Sequence, residues 1–278
     1  MNQCCTSLGV SRAGYYRWRE RARPGAERTG MALRSAIQNI ALEFPADGYR
    51  RVAKELGQRG WRVNHKRVLR LLRADNLLCL RRQAFVHTTD SRHDLPVHPN
   101  LARELTVTGI DQLWVSDITY VRLQAEFVYL AVILDAYSRR VVGWALGRTL
   151  QAELAIAALQ MALDARRPAP GLVHHSDRGV QYASLAYTAL LKDQGIRISM
   201  SGKGNPYDNA QAESFMKTLK YEEVYRNEYR VFEEAYRLIG YFIGQVYNQR
   251  RLHSALNYMP PAKFERSLLS LSEKSPAI

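Results

Sequence analysis

Cysteine is nearly absent: Cys4, Cys5 and Cys79 are the three in 278 residues. Three thiols cannot build a disulfide framework, and no CxxC pair is present, so neither a stapled secreted domain nor a structural zinc site is expected. No uninterrupted apolar stretch nears the roughly 20 residues that a bilayer requires. The opening MNQCCTSLGVSRAGYYRW lacks the apolar block of a secretory leader. A soluble protein of a reducing, cytoplasmic compartment is expected, with no membrane partner. Acid is scarce relative to base, with 26 Asp+Glu against 40 Lys+Arg and a net charge of +14. Apolar material is not scarce. At 46% hydrophobic the chain can bury a core, which excludes disorder throughout, and a chain this long suggests about two domains.

The charge is unevenly spread. Residues 1–103 hold 20 Lys+Arg and 8 Asp+Glu, a net of +12, whereas residues 104–278 hold 20 and 18, a net of +2. A basic first third points to an anionic partner, and nucleic acid is the usual one. Solubility alone does not require a charge of that size. Within this third, residues 1–30 read as a short helical segment capped by Ser11, followed by the linker RARPGAERTG. A helix over 31–44, with Met31, Leu33, Ile37, Ile40 and Leu42 apolar, should stop before Pro45. In GYRRVAKELGQRGWRVNHKRVLRLLRADNLL, Val52 and Leu56 mark one helix, and Gly57 and Gly60 break it. Asn64 caps a second helix with Val68, Leu71 and Leu72 inward and Lys66, Arg70 and Arg73 on another face, Arg67 beside them. Two helices around a glycine break, the second one basic, form a helix-turn-helix pattern over 31–80. A basic stripe is also the ordinary dress of a solvated helix. Residues 81–104 read as an interdomain linker.

From residue 105 the periodicity changes. LWVSDITYV alternates, FVYLAVILD is apolar throughout as in a strand covered on both faces, and RRVVGWALG is a third strand. A helix over 152–166, a strand ending at Asp177, a second helix, the strand RISMS, a glycine-broken loop and a helix carrying Glu213 follow. This order is that of an α/β layer fold with an initial three-stranded meander, over residues 105–225. Residues 226–278 read as a last helix, Phe232 to Gln249, and a loose tail packed on that core.

Two strands and one helix thus deliver Asp117, Asp177 and Glu213. Fifty-nine residues separate the aspartates and 35 separate Asp177 from Glu213. Carboxylates are the ligands that hard divalent cations select, and two ions about 3.5–4 Å apart can serve both the attacking and the leaving oxygen of a phosphodiester. Taken singly, each acid also fits a plain role: strand edge, turn former, helix surface. Glu213, Lys217 and Lys220 share one helix face and Ala212, Phe215 and Leu219 the other. Spacing alone does not separate a phosphate-seeking face from a simple i, i+4 ion pair.

WVSDITY, HHSDRGVQY, SGKGNPYDNAQAESFMKTLK and YNQRRLHSALNYMPP resemble the integrase core of the OrfB transposases of bacterial insertion sequences of the "IS three" family. GYRRVAKELGQRGWRVNHKRVLRLLR resembles their helix-turn-helix region, so the likeness covers about residues 7–266. It implies a ribonuclease-H-like integrase core, a five-stranded mixed sheet with flanking helices, preceded by a small all-α helix-turn-helix domain. It implies a DDE triad of Asp117, Asp177 and Glu213 that binds Mg²⁺, or Mn²⁺, and cuts and joins the ends of a mobile element. Lys220 matches the basic position such enzymes use near the transposon end.

Double-stranded DNA, as terminal inverted repeats and target, is then the expected partner. Lys66, Arg67, Arg70, Arg73, Lys203, Lys217, Lys220 and Arg251 are the expected contacts. Asn248 and His253 also fit a locking role in their segment, and Lys203 and Asn205 a plain surface loop. Asp135 is expected to be structural, paired with Arg139 or Arg140, and Asp208 to cap the Glu213 helix. Of His174 and His175, at most one should face the site. Self-association on DNA, an OrfA partner or an OrfA–OrfB fusion, and a nucleoid-associated location follow from the likeness. No heptad zipper is visible. A nuclease that cuts without joining and a non-enzymatic DNA binder are the alternatives.

Overall fold

The computed structural model describes residue 11 and residues 13–16, 24–79, 95–202 and 209–272. The chain divides into two compact units, Met1–Arg81 and Arg82–Ile278.

In the first unit, α1 (Pro24–Glu43), α2 (Tyr49–Gln58) and α3 (His65–Ala74) enclose a small core. Leu33, Ile37 and Ile40 of α1 meet Val52 and Leu56 of α2 and Val68 and Leu72 of α3. Helix α1 starts seven residues before the expected position and takes in most of the supposed linker, because a proline at the first helical position loses no hydrogen bond. Met31 and Leu42, expected in its apolar stripe, are exposed. Gly57 lies inside α2, and the break falls at Gly60, whose φ of +87° is costly for other residues. Asn64 caps α3, accepting the Lys66 N–H at 2.8 Å. Ser11 likewise accepts the Gly14 N–H at 3.0 Å.

The second unit is built on a five-stranded sheet of order β3-β2-β1-β4-β5. Strands β1 (Leu113–Arg122), β2 (Phe127–Asp135) and β3 (Val141–Gly147) form the antiparallel meander. After α4 (Ala152–Arg166), β4 (Val173–Ser176) pairs in parallel with β1. The short α5 (Val180–Ala183) and α6 (Leu185–Asp193) lead to β5 (Arg197–Met200), parallel to β4. Then come α7 (Ala210–Glu222), α8 (Phe232–Tyr241) and α9 (Pro261–Ser272).

Each sheet face is covered, which explains the unbroken apolar run of β2. Val128, Leu130, Val132 and Leu134 face a core completed by Phe215 and Leu219 of α7 and Ile239 of α8. Ala131 and Ile133 face the opposite core, with Leu159 of α4 and Tyr187 of α6. Strand β3 approaches α4 so closely that a Cβ on Gly143 would lie 2.2 Å from the Ala158 carbonyl oxygen. Backbone cannot yield as a side chain does, so Gly143→Ala should destabilise by about 3 kcal/mol, read as a lower denaturant midpoint.

Three expectations are corrected here. Residues 95–104 are not a free linker: Leu95, Leu101 and Ala102 pack on the two cores, and the Leu101 N–H donates to Ser199 Oγ at 2.8 Å. The last helix is regular only to Tyr241 and widens into a π-helical turn over Phe242–Tyr247. The tail is not loose up to Ser272. Helix α9 inserts the buried Glu265, which accepts from Ser138 Oγ at 2.7 Å and pairs with Arg140 at 2.6 Å and with Arg166. Arg140 is therefore occupied by Glu265. Asp135 instead accepts backbone N–H groups, from Asp111 at 2.6 Å, Tyr137 at 3.0 Å and Ser138 at 2.7 Å.

Candidate active site

Strand pairing carries the two aspartates to the same region of the sheet. β1 and β4 pair as Leu113 with Val173, Trp114 with His174 and Val115 with His175. The pairing stops there, two residues short of both aspartates, so Asp117 and Asp177 follow on adjacent strands just past the paired stretch. Asp177 falls one residue past the end of β4 and accepts the Gly179 N–H at 2.9 Å. Asp117 accepts the Ile118 N–H at 2.9 Å.

Beyond Val115 the backbone of β1 has no partner in β4. Asn209 takes up that slack, donating from Nδ2 to the Ser116 carbonyl at 2.9 Å. It stands at the N-cap position of α7 without capping it by its side chain. The start of α7 is thus pinned one residue before Asp117, and Glu213 follows one turn on, exposed. Asn209 Oδ1 and Tyr182 Oη are buried with no hydrogen-bond partner among the described residues. A polar atom left bare in this way is costly, and such atoms concentrate where a bound group completes the set.

Asp117 lies within electrostatic reach of the other two acids. The half-buried carboxyl of Asp117 is pushed up to about 7, first by removal from water, then by the negative charge of Asp177, with Glu213 adding to it. Lys220 counters this, and its own ammonium is pulled down by burial while Asp117 holds it up. Its Nζ lies 4.6 Å from the centre of the Tyr120 ring, a cation–π contact. Among the described residues no group of three or more His, Cys, Asp or Glu is placed so that it could hold a metal ion. The donor set nevertheless fits a hard cation: every candidate ligand is a carboxylate, and their mutual repulsion at Asp117 is what a divalent ion relieves.

Both histidines are buried and hydrogen-bonded within the fold. His174 meets the Tyr187 hydroxyl at 3.0 Å, and His175 meets Ser199 Oγ at 2.8 Å and Ser201 Oγ at 3.0 Å, both rings buried. Burial drives His174 down to about 3, helped by its neighbour His175. Its folded-state value lies below the ordinary 6.5, so the stability tied to its neutral form is complete above pH 6.5 and is lost as pH falls toward 3. His174→Gln should remove up to about 1.4 kcal/mol per pH unit of acid sensitivity in that window, measured by urea unfolding.

Lys217 is exposed on the Glu213 face of α7, and Lys66, Arg67, Arg70 and Arg73 are exposed on α3. Lys203, Asn205 and Asp208 lie outside the described residues. Arg251 is not a free DNA contact: its guanidinium forms a fork on Glu222, Nε to Oε2 and Nη2 to Oε1, both at 2.8 Å. Asn248 is structural, exchanging hydrogen bonds of 3.0 Å with both backbone groups of Val141. Tyr120 and Tyr182 escaped sequence reasoning because aromatic residues in a strand and a short helix read as ordinary core. Their only signal was a place inside the acid-bearing strings WVSDITY and HHSDRGVQY.

A five-stranded mixed sheet of this order, covered by helices on both faces, has the ribonuclease-H-like architecture of the DDE-type polynucleotidyl transferases. Models described as "Integrase core domain" match residues 108–206 and 194–261, and one described as "HTH-like domain" matches residues 30–85. The insertion element IS600 uncharacterized 31 kDa protein of Shigella sonnei is 39% identical over 262 residues, covering 94% of this chain and 96% of that protein. The transposase InsF for insertion sequence IS3A of Escherichia coli strain K12 is 35% identical over 276 residues, 96% and 94% of the two chains. The HTLV-2 integrase catalytic core domain, solved in complex with magnesium, is 15% identical, with a TM-score of 0.43 over 56% of this chain and 96% of that one. The chain belongs to the transposases of the IS3 family. No helix among the described residues is long and apolar enough to cross a membrane.

Proposed function

We propose that Asp117, Asp177 and Glu213 form the catalytic triad with which this transposase cuts and joins the ends of an insertion sequence. What supports this reading is the placement of Asp117 and Asp177 on the neighbouring strand segments β1 and β4, with Asn209 holding the start of the Glu213 helix to Ser116, one residue from Asp117. Mg²⁺ is the cation that all-oxygen donors at such a site select, with Mn²⁺ as a substitute. When bound, it supplies Lewis-acid stabilisation of the charge that builds on the phosphate. Asp117 and Asp177 bring their carboxylates from neighbouring strand segments of a rigid sheet, and Glu213 brings the third from α7. Lys220 and Lys217 place ammonium groups along the same helix face, where they steady a phosphate backbone. Positioning and charge do the catalytic work, and no side chain need act as a nucleophile.

The basic face of α3 holds the terminal repeats, chiefly through phosphates, while the second unit supplies the chemistry. Work on two DNA ends calls for a multimer in the DNA complex, and an OrfA protein or an OrfA–OrfB fusion fits as a further partner. The place of action is the bacterial cytoplasm, at the nucleoid. The deciding experiment incubates the protein with a labelled element end, target DNA and Mg²⁺. Joined products are expected; hydrolysis with no joined product would leave a nuclease instead.

A further inference from the structure

Helix α7 carries its acid and its two lysines on one side and is gripped on the other. At about 100° per residue, Glu213, Lys217 and Lys220 fall within an arc of about 60°. Phe215 and Glu222 lie about 180° away from the middle of that arc, and Thr218 about 130° away. Those three residues are the ones that the segment after α8 holds. The Tyr247 ring packs edge-on against Phe215 with centroids 4.7 Å apart. Arg251 forks onto Glu222 with two bonds of 2.8 Å and reaches Thr218 Oγ1 at 3.3 Å. The guanidinium also lies 5.7 Å from the centre of the Tyr247 ring, and His253 stands 3.4 Å from its Nη1. Arg251 and Glu222 are both nearly buried, at 11% and 12% side-chain exposure.

The grip is itself set rigidly. The π-helical turn Phe242–Tyr247 continues in bonds that reach back five residues, Asn248 N–H to Ile243 at 3.1 Å and Arg251 N–H to Val246 at 2.8 Å. A turn of that kind rotates the residues after it relative to a regular helix. Asn248 then ties the segment to Val141 of β3. The sheet, the π turn, Arg251 and α7 therefore form one connected chain of contacts.

We propose that Arg251 is a positioning residue for Glu213. Through Glu222 and Thr218 it fixes the roll of α7, so that Glu213 points toward the two strand aspartates. The fork is planar and has two bonds, so it resists rotation about the helix axis as a single contact would not. This proposal rests on the reading of Glu213 as an active carboxylate. It also gives the YNQRRLH segment a role at the site without any contact to DNA.

The test uses the full-length chain with Arg251→Gln, Glu222→Gln and the double variant. Loss of helix placement should lower strand transfer about 10–100-fold, the scale of a displacement of about 1 Å at a reacting group. The Mg²⁺ concentration for half-maximal activity should rise, and amide exchange at residues 210–214 should quicken. The double variant should be no worse than either single one, because both remove the same bond. DNA affinity and its salt dependence should stay within about two-fold of the parent protein. Arg251→Lys, which keeps the charge but not the fork, should recover only part of the activity. If Arg251→Gln fails to fold, Glu222→Gln and Thr218→Val carry the same test.

A phosphate contact at Arg251 would show the opposite pattern, with weaker DNA binding, a shallower salt slope and a harmless Glu222→Gln. That result overturns the proposal, as does a Glu222→Gln protein with unchanged rate and Mg²⁺ dependence. Glu213→Gln is assayed in parallel. If it keeps strand transfer, the reading of the triad fails; if it is dead while the Arg251 and Glu222 variants are normal, only the clasp fails.

Discussion

Asp117→Asn should abolish cleavage and joining, by about 10³-fold or more, and at the same time make the metal-free fold more stable. The activity loss follows from the place of Asp117 on β1, beside the strand that leads to Asp177. The gain in stability follows from its ionisation. Its carboxyl sits at about 7 in the fold, above the ordinary 3.8, because burial and Asp177 oppose the charged form. The folded state therefore carries no penalty below about pH 4, a growing one between pH 4 and 7, and the whole of it above pH 7. The size is roughly 2–4 kcal/mol, from about 1.4 kcal/mol per unit. Thermal melts of the two proteins should coincide near pH 4 and separate at pH 8, with the variant higher. Mg²⁺ should narrow the gap at pH 8, since it stabilises only the protein that retains the carboxylate. A variant that melts lower than the parent at pH 8 would show that Asp117 is not held in a repulsive field.

Replacing Lys66, Arg67, Arg70 and Arg73 together by glutamine should remove most of the affinity for an element end. Each phosphate contact adds about 0.9 to the slope of log K against log salt. Four contacts amount to about 3.6, so the slope should become shallower by about three to four and binding at low salt should fall by about 100-fold or more. The fold should survive, because these side chains are exposed and the buried stripe of α3 is Val68 and Leu72. Gel-shift titrations from 50 to 300 mM salt give both quantities. An unchanged slope would mean that α3 is a solvated basic face and that DNA is held elsewhere. The isolated chemistry should remain measurable at high protein concentration, since none of the four residues belongs to the acid site.

The two tests separate holding DNA from cutting it, a division already legible as +12 against +2 along the chain. Local signals carried much of the rest. The apolar run FVYLAVILD announced a strand covered on both faces, and Asn64 announced a helix start; both are found. The three acids were legible as a set only because motifs of known order surrounded them. The ion pair of Arg251 was hidden for the converse reason. In YNQRRLH this arginine looks like a spare cation, and the acid that occupies it, Glu222, lies 29 residues earlier on another helix. Helix α9 and the early start of α1 were missed because those stretches read as a loose tail and a linker, although Pro261 and Pro24 fit a first helical turn.

By itself the sequence determined what repeats at short range. Strand and helix periods, the Asn64 cap, the order of elements and hence the fold class rest on side chains a few residues apart, whose spacing survives in print. Only the tertiary structure decided what depends on separate segments meeting. The parallel pairing of β1 and β4 makes neighbours of the strands that carry Asp117 and lead to Asp177, burial and neighbouring charge raise the Asp117 carboxyl, and Glu222 claims Arg251. Those outcomes are set by distances of a few ångströms between residues tens of positions apart, and by the water excluded between them, which no local pattern encodes.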